Sequence, residues 1–137
     1  MPVTANSIIT PQALKSATAV CTTANSTYSD APTNSQVLVT AGANGARLTK
    51  ITAVARATVT ATELQLYRDG DGTGTLKRLF ASKAMAAYTV AQTTANAATD
   101  FGFSDANPVI LAAGEKIYAA IGVSNTGIVF AAEWADY

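Results

Sequence analysis

The sequence predicts an all-β protein: a single antiparallel β-sandwich, jelly-roll-like, of about eight strands, preceded by an extended N-terminal arm. Three observations carry this. Apolar and polar residues alternate with period two along most of the chain, so each run has one face suited to burial. Clusters of Gly, Asn, Asp and Pro interrupt the runs every ~8–12 residues, the spacing of strands joined by tight turns. The composition is rich in Ala (29) and Thr (20), while no long segment shows apolar residues at helical spacing; Thr and Val suit a pleated, half-exposed surface. Leu, Ile, Val and Phe together number 29 of 137 residues, so the core is expected to be thin and built from small side chains. Nine basic and nine acidic residues balance to zero net charge, which is not the composition of a disordered chain.

Residues 1–15 read as an arm, because Pro2 and Pro11 break regular structure and the apolar residues Val3, Ile8, Ile9 and Leu14 are too sparse for a core element. Residues 16–137 read as the sandwich. The first strand is expected over 16–23, then a loop over 24–34, whose Asn25, Ser26, Asp30, Pro32 and Asn34 are turn formers. A second strand follows at 36–40, and Gly42, Asn44 and Gly45 supply a turn. The longest run, 47–60, sets Ile51, Ala53, Ala55, Ala57 and Val59 on one face; fourteen residues exceed ordinary strand length, so a bend or bulge is expected in it. Residues 63–68 and 75–81 flank the Asp- and Gly-rich stretch 69–74 and form the clearest hairpin. The segment 84–94 fits either a helical stripe or a strand, with a strand over 87–93 preferred. Toward the end, 109–111, 115–123 and 127–137 alternate again. Ile117, Ala119, Ile121 and Val123 share one face, as do Ile128, Phe130, Ala132 and Trp134.

The chemistry open to this chain is narrow. It has no His and one Cys, so a His-based zinc site, a Ser-His-Asp triad, a Cys-His pair and an intrachain disulfide are all unavailable within one chain. Neutral net charge provides no polybasic footprint, so neither nucleic acid nor an anionic membrane is an expected partner. No run of ~18 apolar residues is present, and the start lacks a basic region followed by an apolar stretch, so neither a spanning helix nor a signal peptide is expected. Asp69, Asp71 and Thr73 occupy positions one, three and five of a calcium-loop pattern, but the twelfth position is Phe80 where a bidentate Glu belongs, so a solvated hairpin loop is the expected reading. Gly42 to Gly45 lacks the Lys-Ser/Thr ending of a phosphate loop. Asp69, Asp71, Asp100, Asp105, Glu115, Glu133 and Asp136 show no catalytic spacing. Cys21 reads as a small buried hydrophobe. No catalytic residue, cofactor or metal is assigned, and an enzyme is not expected.

The whole-chain pattern resembles small bacteriophage virion proteins of the head-decoration, or cement, type. The features that carry the likeness are an arm dotted with apolar residues, an Ala/Thr-rich body, the Asp-Gly hairpin, and the final strands. The last of these open on Leu111, Gly114, Glu115, Ile117 and Tyr118, an entry pattern similar to that of viral jelly rolls. The resemblance implies a non-enzymatic capsid decoration protein that binds and stabilises the capsid surface, with the major capsid protein or another virion protein as partner. It also implies a homo-oligomer, a trimer by preference, assembled in the host cytoplasm and resident in the virion. The alternatives are a tail, neck or fibre component of the virion, or a lectin-like carbohydrate-binding module. Against the lectin, Tyr67, Phe80, Tyr118, Phe130 and Trp134 fall in strands and not in loops. Val3, Ile8, Ile9 and Leu14 are the expected subunit or capsid contacts.

Overall fold

The computed structural model describes residues 10–137. Their secondary structure is nine strands and no helix: β1 (Ala13–Cys21), β2 (Gln36–Thr40), β3 (Ala46–Ala55), β4 (Thr62–Asp69), β5 (Lys77–Met85), β6 (Ala98–Asp100), β7 (Val109–Leu111), β8 (Lys116–Ile121) and β9 (Ile128–Asp136). They form two antiparallel sheets. One runs β1-β9-β3-β6, with β7 also on β3; the other runs β2-β8-β4-β5. The pairing is nested: first strand with last, β2 with β8, β3 with β6 and β7, β4 with β5. That is a long two-stranded ribbon wrapped on itself, the topology of a jelly roll. β6 pairs with Thr52–Val54 and β7 with Ala46–Leu48, so the two short strands are successive pieces of one interrupted edge strand. The expected β-sandwich is therefore the fold.

The core follows from the period-two pattern. Ile128, Phe130, Ala132 and Trp134 of β9 and Leu48, Ile51, Ala53 and Ala55 of β3 face Leu64, Leu66, Ile117, Ala119 and Ile121 of the other sheet, all buried. Each large aliphatic side chain buried here contributes roughly 1.5–3 kcal/mol. Small and large side chains sit side by side within the sheet: Ala53 lies directly beside Phe130 across the β3–β9 ladder. A second apolar cluster, Tyr67, Tyr118 and Ala120, lies apart from this core. It is on the outer face of the four-stranded sheet, beneath the β1–β2 connection. Buried Asn25 in that connection bonds Gln65 and Tyr67 of β4, and Asp30 accepts from the Lys77 backbone.

Four expectations change. β1 begins at Ala13, so Leu14 and Lys15 belong to a strand paired with β9 and not to an arm ending at 15. The run 47–60 is a strand only to Ala55, although the irregularity expected in it is present: it bends at Arg56 and Ala57, and its ladder with β9 slips between Leu48 and Lys50. The strand over 87–93 is absent. Only Tyr88 bridges, to Val59, because this segment crosses from one sheet to the other and meets no continuous edge. Val123 lies beyond the end of β8 and is exposed, because the chain turns there.

Candidate functional site

The outer face of the five-stranded sheet is left open by the described residues, and the ladder registers arrange it in rows. One row runs Leu14, Ala135, Arg47, Ile110 and another Val20, Val129, Val54, Ala98. Between them lie polar rows, Ser16–Glu133–Lys50 and Thr18–Ala131–Thr52–Asp100. Two mostly apolar rows, the first interrupted by Arg47, thus flank a charged and hydroxylated middle. Leu14 is 92% exposed and Ile110 55%. A groove of about 540 Å³ opens beside Leu14, with Pro11, Arg47, Asp105, Glu133 and Trp134 among its walls. The Arg47 guanidinium donates to the Asp105 carbonyl, which pins the β6–β7 connection at the groove's rim. Of the four expected contact residues the structure brings Leu14 to this groove; Val3, Ile8 and Ile9 lie outside the described residues.

Two of the groove's lining residues, Lys15 and Trp134, are held by Asp136, a buried carboxylate. Its Oδ1 accepts from Trp134 Nε1 at 3.2 Å and from the Gly42 N–H at 3.1 Å, and its Oδ2 lies 2.9 Å from Lys15 Nζ. Trp134 is itself buried, so its ring is no platform for a sugar. The β-period could have revealed Asp136: counting on by twos from Ile128 places it on the inward face, where a charge needs partners.

Elsewhere the structure sorts the remaining candidates. The Cys21 Sγ contacts the Ala119 carbonyl at 3.4 Å, and burial pushes its thiol up to about 12, which removes it as a nucleophile at neutral pH. The 69–74 stretch joins β4 to β5 as expected, with Phe80 inside β5 and packed toward Phe103. The solvated reading holds for Asp71 but not for Asp69, which is fully buried. Asp69 Oδ2 accepts from the Gly74 N–H. The loop lies so close to the β7–β8 turn that a Cβ on Gly72, at φ +72°, would collide with the Gly114 carbonyl. The Thr73 N–H and hydroxyl donate to Asp71 at 3.0 and 2.8 Å, and these bonds hold its carboxyl below the usual carboxylate range, with a smaller contribution from Asp69. No signal in the sequence marked Asn25, since a polar residue in a loop gives no hint that the loop lies over a sheet.

In comparisons with known proteins the chain matches no family model, no curated protein and no solved structure.

Proposed function

We propose that this chain is a non-enzymatic viral structural protein of the bacteriophage decoration type. In this reading it binds the major capsid protein, or another virion protein, and stabilises the particle surface as a homotrimer. The observation that carries the reading is the sheet face left open by the described residues, with Leu14 standing almost fully exposed beside the groove. An apolar side chain projecting from a strand whose backbone is fully paired to β9 is a rigid contact, ordered before binding and so low in entropic cost. The charged groups around it, Arg47, Lys50 and Glu133, are of both signs and suit a protein surface better than a polyanion. Many copies on a lattice turn modest contacts of this kind into firm attachment. The arm adds Val3, Ile8 and Ile9 to the same task.

The test is to mix the purified chain with undecorated shells of the phage that encodes it and to measure occupancy by co-sedimentation. The wild-type chain binds saturably. Leu14→Asp lowers occupancy at matched concentration by about tenfold while leaving the melting temperature within ~2 °C, since an exposed substitution has little effect on folding. Deleting residues 2–9 also lowers occupancy. Failure of the wild-type chain to bind shells, or equal binding by Leu14→Asp, overturns the reading; binding to isolated tails alone moves it to a tail or neck component.

A further inference from the structure

The edge of a sheet invites another strand, and folded proteins guard their edges with short strands, bulges, prolines or charged side chains. Three of the four sheet edges here are guarded. β2 is short, and its ladder with β8 slips between Val37 and Val39. β5 carries Lys77, Arg78 and Lys83, slips against β4 at Phe80, and donates its Lys77 N–H to the Asp30 carbonyl. β6 and β7 form the third edge in pieces of 3 residues each. The fourth edge is β1, which has none of these devices. It pairs with β9 over 9 residues without a slip and contains no proline. Its one charge, Lys15, is turned back onto Asp136 at 2.9 Å. Among the described residues, no backbone N–H or carbonyl of Ala13–Cys21 bonds to backbone outside the ladder with β9.

We propose that the open edge of β1 takes β1 of a second copy of this chain, antiparallel about a two-fold axis at Ala17. In that register the strand is its own complement. Residues directly opposite each other share a face of the sheet and touch. Leu14 then stands opposite Val20 of the second copy, Ser16 opposite Thr18, and Ala17 opposite itself. Exposed apolar side chains meet each other, hydroxyls meet hydroxyls, and Lys15 faces Ala19 and not a second Lys. A shift of two residues either way sets Leu14 against Thr18 or Thr22 and Val20 against Gln12 or Ser16, which matches apolar with polar. The joined sheet runs through both copies with their open faces on the same side, so the surface proposed above for virion contact is doubled. An isologous contact closes at two copies; it links one trimer to the next and does not build the trimer. The inference does not depend on the virion reading, since the edge is open whatever the face binds.

The experiment is disulfide trapping on the whole chain. Residues directly opposite in an antiparallel pair have Cα atoms about 4.5–5.5 Å apart, within the span of a disulfide. Ala17→Cys therefore gives a disulfide-linked dimer on mild oxidation, read on a non-reducing gel. Val20→Cys is the control, because position 20 is the more exposed but lies opposite position 14 of the second copy. Random collision favours Val20→Cys; the proposed pairing favours Ala17→Cys by about tenfold. The native Cys21 is buried and takes no part. Ser16→Lys combined with Thr18→Lys sets like charges opposite each other and abolishes the Ala17→Cys crosslink. Both positions are exposed, so that variant folds. Mixing it with Ser16→Glu combined with Thr18→Glu, also carrying Ala17→Cys, restores the crosslink between the two. Without the added Cys, the two lysines halve the sedimenting mass of the chain, dimer to monomer or hexamer to trimer. Equal crosslinking by Val20→Cys, no crosslinking by Ala17→Cys, or a mass indifferent to the lysines overturns the proposal. So does a full chain that crosslinks only once residues 2–9 are deleted, which would mean that its own N-terminal segment holds the edge. No shells enter the assay, so this pairing and virion binding fail or succeed separately.

Discussion

The side-chain amide of Asn25 donates to the Tyr67 hydroxyl at 2.8 Å, although 42 positions separate them. The same nitrogen lies 2.9 Å from Gln65 Oε1, to which the Tyr67 hydroxyl also donates at 2.9 Å. Asn25 Oδ1 in turn accepts from the Thr33 N–H at 2.8 Å. One amide thus closes the 24–34 loop on itself and fastens it over the four-stranded sheet.

Asn25→Ala therefore leaves the buried Tyr67 hydroxyl oxygen without its donor and the Thr33 N–H without its acceptor, and frees the loop. A loss of about 2–3 kcal/mol is expected, within the range for unsatisfied buried polar groups. Urea unfolding gives the stability change, and the near-ultraviolet circular dichroism of Tyr67 and Tyr118 weakens in the folded variant. An unchanged midpoint would show that the loop is held by its other contacts.

Asp136→Ala removes the acceptor for Trp134 and Gly42 and the ionic partner of Lys15 in one step. Destabilisation of about 3 kcal/mol is expected, because the Gly42 N–H and the indole N–H lose their partner in a largely dry site. The chain has a single Trp, so emission reports this site alone. The emission maximum shifts to the red before global unfolding as the first turn of β1 detaches. Asp136→Asn retains an acceptor for Trp134 and loses less.

Burial raises the Cys21 thiol from 9.0 to about 12, and raises the Tyr67 and Tyr118 hydroxyls in the same direction. The unfolded chain sheds the thiol proton first. The contribution of Cys21 is accordingly complete below pH ~9 and is lost between pH ~9 and ~12, at no more than about 1.4 kcal/mol per pH unit. Chemical denaturation at pH 8, 9.5 and 10.5 checks the sign. Cys21→Ala flattens part of the decline. At pH 8 the folded chain does not react with a thiol reagent until it opens.

How much was legible in the sequence differs from residue to residue. Alternation in 128–136 located Ile128, Phe130, Ala132 and Trp134 on the buried face, because a strand turns each successive side chain to the opposite side whatever its neighbours are. The same rule fails at 87–93, where Tyr88, Val90 and Gln92 alternate in a segment that crosses between sheets. Alternation records a readiness to pair, but pairing needs an edge, and the edge is supplied by other parts of the chain. At the candidate interaction face, Leu14 was legible as an apolar residue outside the core; its row with Ala135, Arg47 and Ile110 was not, since it joins four strands from distant parts of the chain. Asp69 and Asp71 look alike in the sequence, each beside a glycine, yet one is buried and the other exposed. Local chemistry by itself determined the turns, the inward residues and those strands that find an edge to pair with, because these depend on neighbours a few positions apart. The nested pairing, the loop fastened by Asn25 and the burial of Asp69 were decided only by the tertiary structure, because each depends on contacts between residues far apart in the chain.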